Sequence, residues 1–188
     1  MHKEVLNIVQ SPAELSEMYG KEDRYWYLSS QPFIEAFIKP MAVIVNGIGL
    51  PVLDAGCGEG ILGSYCQVPY VGFDGSNSAL DRGRKRNPQL DLRIGRIESP
   101  ELLLPSDFGT IVFGGLFSVL VKPECQVAFI ERYAAFKPQF FIVYDLERTN
   151  TDRIDLRFSR ITERHATADI ELQPDVKRHR KILVYRWT

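Results

Sequence analysis

Residues 51–60 read Pro-Val-Leu-Asp-Ala-Gly-Cys-Gly-Glu-Gly, so an acid, Asp54, closes an apolar run just ahead of glycines at alternate positions, Gly56, Gly58 and Gly60. Val52 and Leu53 have the character of a buried strand end, and the glycines let the backbone turn sharply and lie against a ligand. Ile61 to Gln67 follows as a helix candidate whose free N–H groups face the same ligand. A dinucleotide turn runs G-x-G-x-x-G and holds a pyrophosphate on backbone N–H groups, where a neighbouring carboxylate repels it. Here the third glycine comes one residue early, Ile61 occupies the dinucleotide position, and Asp54 stands beside the turn. The pattern favours a ligand that carries positive charge and no phosphate.

S-adenosylmethionine fits that description, with an ammonium, a sulfonium and no phosphate; an NAD-dependent oxidoreductase is correspondingly disfavoured. Asp74 stands 20 residues after Asp54, the distance at which a nucleotide-binding sheet presents an acid to a ribose diol. A carboxylate accepts from both hydroxyls at once. An isolated acid at a strand end is more often a cap or turn residue, but after this glycine turn, in Val71-Gly72-Phe73-Asp74-Gly75-Ser76, the ribose role is preferred. Gly75 and Ser76 then line the ribose and the adenine edge.

The run Val52-Leu53-Asp54-Ala55-Gly56-Cys57-Gly58-Glu59-Gly60 resembles the first motif of the class I S-adenosylmethionine-dependent methyltransferases. The resemblance implies an α/β, Rossmann-like fold: a mostly parallel sheet with an antiparallel C-terminal strand and helices on both faces. It also implies S-adenosylmethionine as cofactor, S-adenosylhomocysteine as product, and cofactor contacts from Asp54, Gly56, Cys57, Gly58 and Gly60. The interval from Gly60 to Asp74, 14 residues, is about one helical turn shorter than the family's, so the first helix is short, as Pro69 would enforce. Where many members carry an acid for the adenine amine, Arg93-Ile94-Gly95-Arg96-Ile97-Glu98 places Arg96. Arginine cannot accept a hydrogen bond. Either Arg96 stacks on the purine while Ile97 offers its backbone amide, or Glu98 swings in as acceptor; a solvated Arg96 is an equal alternative. Gly114 and Gly115, after the fourth strand, would admit the methionine end of the cofactor and an incoming nucleophile, although two glycines after a strand are also an ordinary turn. The segment Phe113 to Ser118 lacks the Asn-Pro-Pro-Tyr, Pro-Cys and paired-glutamate motifs of base and arginine methylation.

Methyl transfer from a sulfonium is an in-line displacement, so alignment and exclusion of water dominate, and a base serves only a nucleophile that keeps its proton. The candidates are Asp145, at the end of the fifth strand on the cleft side, and Tyr27 from the N-terminal segment. Tyr25, Trp26 and Tyr27 would cover the sulfonium through cation–π contacts, although core packing competes for at least one of them.

The elements that position these residues alternate from Pro51 onward. Strand candidates are Val52 to Asp54, Tyr70 to Asp74, Leu90 to Ile94, Thr110 to Phe113 and Phe140 to Tyr144. Helical spacing appears over Ser76 to Lys85, Lys122 to Phe136 and Asp152 to Ile161. Ala166 to Leu172 and Ile182 to Trp187 form a terminal hairpin. Upstream, Ser11-Pro12-Ala13-Glu14 starts a helix that Gly20 ends, and a second from about Pro32 puts Phe33, Phe37 and Met41 on one face, kinked at Pro40. One domain over 1–188 is expected, with a helical lid over 1–50 and the α/β core over 51–188.

With 45% hydrophobic and 25% charged residues among 188, the composition is that of a globular chain, and a formal charge of -1 supplies no global attraction to nucleic acid or anionic membrane. Three scattered cysteines indicate neither a disulfide framework nor a metal site, and no stretch reads as a signal peptide or membrane span, so a cytoplasmic location is expected. His165 and His179 invite consideration as bases. His179, however, lies in Lys177-Arg178-His179-Arg180-Lys181, a run that reads as a solvated hairpin with a lesser claim on phosphate. The preferred function is methylation of an oxygen or nitrogen of a small-molecule acceptor. The alternatives are a nucleic acid or protein methyltransferase using the basic hairpin, and a non-catalytic cofactor-binding module.

Overall fold

The computed structural model describes residues 29–100, 108–117, 121–146, 149–169 and 177–187. Seven strands form one sheet: β1 (Val52–Ala55), β2 (Tyr70–Asp74), β3 (Asp91–Ile94), β4 (Thr110–Gly114), β5 (Phe140–Leu146), β6 (Ser159–Asp169) and β7 (Lys177–Arg186), in the order β3-β2-β1-β4-β5-β7-β6. β1 to β5 are parallel; β7 is antiparallel to both β5 and β6. The chain builds outward from β1 to β3, then reverses across β1 to continue with β4, so the carboxyl ends of β1 and β4 diverge into the crevice where open α/β sheets place ligands.

Alternation along the strands divides the core into two layers. Leu53, Ala55, Phe73, Ile111, Phe113, Phe141, Val143, Leu183 and Tyr185 face one way, against α3 (Gln126–Glu131) and α4 (Asp152–Arg157). Val52, Val112, Ile142, Tyr144, Ile182 and Val184 face the other way, against the N-terminal helix α1 (31–48). Helix α2 (Asn77–Arg86) packs on β2 and β3, capped by the Ser76 hydroxyl, which accepts from the Ala79 N–H at 3.3 Å. Arg84, Lys85 and Arg86 complement the dipole at its other end.

Pro40 widens α1 where a kink was anticipated. A five-residue π segment, Ile34–Ile38, joins Gln31–Phe33 to Lys39–Ile48, and the Lys39 N–H reaches back to the Ile34 carbonyl. Proline brings no N–H, so the hydrogen-bond register slips by one residue ahead of it. Phe33, Phe37, Met41 and Val45 are buried by this helix, so residues 31–48 form a core layer of the sheet, while residues 1–28, with the helix assigned to Ser11–Gly20, lie outside the described residues.

Three other expectations change. Ile61 to Gln67 yields only a 3-10 turn, Leu62–Tyr65, where a helix was expected. The run Lys122 to Phe136 is not one helix: 3-10 turns Pro123–Cys125 and Arg132–Phe136 flank α3, satisfying end groups by tighter bonding. Helix α4 stops at Arg157; Phe158 turns extended, with ψ at 148°, and β6 begins at Ser159. The helical spacing of Ile154, Phe158 and Ile161 misleads because Ile161 sits at a register shift in β6 and is exposed. The C-terminal hairpin is therefore longer than its apolar runs suggested.

Candidate active site

The glycine loop after β1 is built as its composition demands. Gly56, Gly58 and Gly60 take φ values of 73°, 57° and 66°, a region that L-residues with side chains rarely occupy. A Cβ on Gly56 would lie 2.7 Å from Leu116 Cδ2, and one on Gly60 2.6 Å from Leu92 Cδ2. The N–H groups of Gly56 and Cys57 both donate to the Phe73 carbonyl, at 2.9 and 3.1 Å, binding the loop to the end of β2. Glu59 fastens the outer side: its Oε1 accepts from Arg82 Nε at 2.9 Å and its Oε2 from Arg86 Nη1 at 2.5 Å, both on α2. Gly83 permits that approach, since a Cβ there would stand 2.4 Å from the Glu59 carbonyl oxygen.

Two carboxylates stand at the ends of the neighbouring strands β1 and β2. Asp54, 5% exposed, accepts from the Tyr70 hydroxyl at 2.7 Å through Oδ2. Tyr70 reaches it by lying across Gly72, whose missing Cβ would be 2.9 Å from the phenol oxygen. Asp74, 6% exposed, accepts from the Gly58 N–H at 2.9 Å and the Ser76 N–H at 2.8 Å, so it links the glycine loop to the cap of α2. Burial pushes the Asp54 carboxyl up to about 7; the Tyr70 hydrogen bond opposes the rise and the Asp74 charge adds to it. Asp74 is likewise raised by burial, against the downward pull of the Ser76, Gly58 and Gly75 backbone. Among the described residues no arginine, lysine or histidine pairs with either acid. The site thus concentrates buried negative charge beside a loop of N–H groups already committed to the protein.

The other residues singled out from the sequence distribute unevenly around this centre. Gly75 and Ser76 follow Asp74 directly, with Ser76 fully buried as the α2 cap. Arg96 and Glu98 pair with one another, and the Arg96 side chain is largely exposed. Ile97 packs in the core and its carbonyl accepts from the Tyr133 hydroxyl at 2.8 Å. Gly114 ends β4 beside Tyr144, with room for a Cβ at 3.8 Å from the ring. Asp145 is fully buried on the face of α3 and α4: Oδ2 accepts from the Phe117 N–H at 2.8 Å, and Oδ1 from the Leu146 N–H at 2.7 Å and the Thr149 hydroxyl at 3.3 Å. Those bonds hold the loops after β4 and β5, and they put Asp145 on the opposite side of the sheet from Asp54, where a position on the cleft side was expected, because strand alternation gives it the face of Val143. Tyr25, Trp26 and Tyr27 lie outside the described residues.

Cys57, Cys66 and Cys125 are free. Burial pushes the Cys66 thiol up to about 12 and raises Cys57 well above its ordinary value, so neither is a reactive thiolate. His165 is exposed and pairs with Glu163 at 2.9 Å, away from the crevice.

Residues that sequence reading passed over complete the site. Tyr70 was visible only as a strand residue; that its hydroxyl meets Asp54 depends on Gly72 two positions on. The run Lys177 to Lys181 reads as solvated, yet β7 sends alternate residues to opposite faces of the sheet, and Arg180 shares the face of Ile182 and Val184. It is 8% exposed, with its guanidinium 5.0 Å from the Tyr144 ring centroid and 5.4 Å from that of Phe33. The available signal was period-two alternation extended back from Val184.

No protein-family model and no curated protein sequence matches the chain. Solved structures do. A TehB-like S-adenosylmethionine-dependent methyltransferase from Corynebacterium glutamicum superposes with a TM-score of 0.61 at 19% identity, over 95% of this chain and 100% of that one. The 1,6-didemethyltoxoflavin N1-methyltransferase of Burkholderia thailandensis, solved with its substrate and S-adenosylhomocysteine, gives 0.62 at 15% identity over 95% and 91%. A Pyrococcus horikoshii protein provisionally designated an RNA methyltransferase gives 0.64 at 13% identity over 93% and 97%. The fold is that of the class I S-adenosylmethionine-dependent methyltransferases, as the glycine motif implied. No helix among the described residues is long and apolar enough to cross a membrane.

Proposed function

We propose that the chain is an S-adenosylmethionine-dependent methyltransferase that acts on an oxygen or nitrogen of a small-molecule acceptor, as one methyltransferase unit over its length. The observation that carries this reading is the pair of buried acids at the β1 and β2 ends, unpaired with any cation among the described residues. Buried carboxylates are costly unless a counter-charge meets them, and a phosphate-bearing dinucleotide would worsen the cost. An ammonium beside Asp54 removes it.

Asp54, held in place by Tyr70, would take the amino group of the cofactor, and Asp74 the ribose diol through lone pairs left over from the Gly58 and Ser76 N–H groups. Gly75, Ser76 and Ile97 would border the adenosine, with the Arg96–Glu98 pair at its rim. Gly114 would leave the opening through which the acceptor approaches. The bound cofactor supplies an activated methyl group on sulfur; the protein aligns it with the nucleophile and excludes water. Asp145 acts here as a loop anchor and not as a base. The toxoflavin-type neighbour, solved with a small-molecule acceptor bound, supports the small-acceptor reading.

Calorimetry tests the reading directly. S-adenosylmethionine and S-adenosylhomocysteine should bind and NAD should not; Asp54→Ala should abolish most of that affinity, and Asp74→Ala should weaken both ligands alike because both carry the ribose. Tight NAD binding with no heat from either sulfur ligand would overturn the assignment. Acceptance of RNA, the competing reading, would show as methyl incorporation that falls steeply with salt. The burial of Arg180 argues against it, because it removes one charge from the basic run.

A further inference from the structure

The crevice has a second charged end. Arg180 is buried to 8% exposure, on the sheet face that carries Asp54, Asp74 and Tyr144. Its guanidinium lies over two rings, Phe33 at 5.4 Å and Tyr144 at 5.0 Å, and its buried Nε has no hydrogen-bond partner among the described residues. Rings compensate part of a cation's charge through their quadrupoles. They provide no oxygen for a fork of five N–H donors, and leaving a buried charged donor unmet is costly. The guanidinium edge also faces Gly115, the residue just past β4: a Cβ there would stand in ordinary contact with Arg180 Nη1 at 3.8 Å, and its absence leaves that space beside the cation. Gly115 itself is held by its N–H on the Tyr144 carbonyl at 2.7 Å, with φ at 70°.

The sheet order places Arg180 across the crevice from Asp54. Between β1 and β7 stand β4 and β5, three strand spacings or roughly 14 Å across the sheet, and Asp54 is level with Val184, so Arg180 lies four residues further along β7, beside the carboxyl end of β5. A cationic cofactor anchored at the acidic end therefore leaves the basic end for its co-substrate. We infer that Arg180, walled by Phe33 and Tyr144 and opening beside Gly115, binds an oxyanionic group of the acceptor, a carboxylate or a phosphate. The inference rests on the methyltransferase reading for the word acceptor, but the anion site stands on its own geometry. Planar carboxylates match the guanidinium fork in two parallel hydrogen bonds, and the flanking rings suit a flat aromatic acid.

The test uses the full chain, with and without S-adenosylhomocysteine, titrated with benzoate, its neutral counterpart benzamide, and inorganic phosphate. Binding is read by calorimetry and by the Arg180 Nε–H resonance, assigned by its loss in Arg180→Lys. Benzoate or phosphate should shift that resonance and bind at least tenfold tighter than benzamide; whichever does so names the oxyanion. Arg180→Met should cost at least tenfold in anion affinity while S-adenosylhomocysteine affinity stays within twofold. Should Arg180→Met fail to fold, the wild-type resonance decides. An unmoved resonance, or benzamide binding as tightly as benzoate, overturns the anion site. Loss of S-adenosylhomocysteine binding alone overturns the cofactor reading and leaves the anion result intact.

Discussion

On the proposed reading, folding and binding place opposite demands on Asp54. Its carboxyl rises from 3.8 in the unfolded chain to about 7 in the folded one, chiefly by burial, so between those values the folded state keeps a proton that the unfolded state has lost. Stability of the ligand-free protein therefore falls as pH rises from about 4 to about 7 and that contribution is gone above it. Binding of the proposed cofactor would have the reverse preference, because its ammonium would need the carboxylate. S-adenosylhomocysteine affinity should drop about tenfold per pH unit below about 7, measured by calorimetry between pH 5.5 and 8.5; a flat profile would mean that Asp54 does not meet the charge. Asp54→Asn keeps an acceptor for Tyr70 and removes the buried charge. At pH 8 it should raise the ligand-free melting midpoint, by about 2–4 °C for each kcal/mol recovered, while costing about 10- to 100-fold in affinity.

At the level of elements, the loops around the crevice are set by a few close approaches. Gly83 in α2 admits the Glu59 carbonyl, and Arg82 and Arg86 from the same helix grip the Glu59 side chain. Gly83→Ala, a good helix former at a bad distance, should destabilise the protein by about 1–3 kcal/mol in urea and weaken S-adenosylhomocysteine at the same time, because the glycine loop must shift. A stabilised variant with unchanged affinity would show that α2 yields freely. Asp145 anchors two loops at once. Asp145→Asn should cost about 2–3 kcal/mol of stability and leave the position of the acidic limb of the kcat/KM profile unmoved. Disappearance of that limb would restore Asp145 as a base.

Across the whole molecule, the sheet is enclosed by α1 and α2 on one side and by α3 and α4 on the other, and the N-terminal helix is part of that enclosure. Phe37 is fully buried, 5.0 Å from the Phe33 ring and 5.8 Å from Tyr144. Phe37→Ala should cost about 3–5 kcal/mol, a large share of the roughly 5–15 kcal/mol available to a domain. Circular dichroism and tryptophan fluorescence should then report one coincident transition at a lower urea midpoint. Separate transitions would mean that α1 behaves as a detachable cover. Phe33 and Tyr144 also wall Arg180, so this packing connects helix placement to the basic end of the crevice.

Sequence alone determined the parts whose cause is local. The glycine spacing after Asp54 requires a backbone that only glycine adopts easily, and the structure gives all three glycines positive φ; five parallel strands and α2 likewise follow from short apolar runs, a serine cap and basic end residues. What tertiary structure decided is where long-range partners compete with local preference. Pairing with β7 drew Ser159 and Ile161 out of a helical pattern into β6, and Pro40 was absorbed as a π segment by a helix pressed against the sheet. The same competition turned Asp145 into an anchor and buried Arg180 between two rings. Charge and side-chain type are written in the chain, but desolvation and partners arise only when distant residues meet, and those set what a carboxylate or a guanidinium can do.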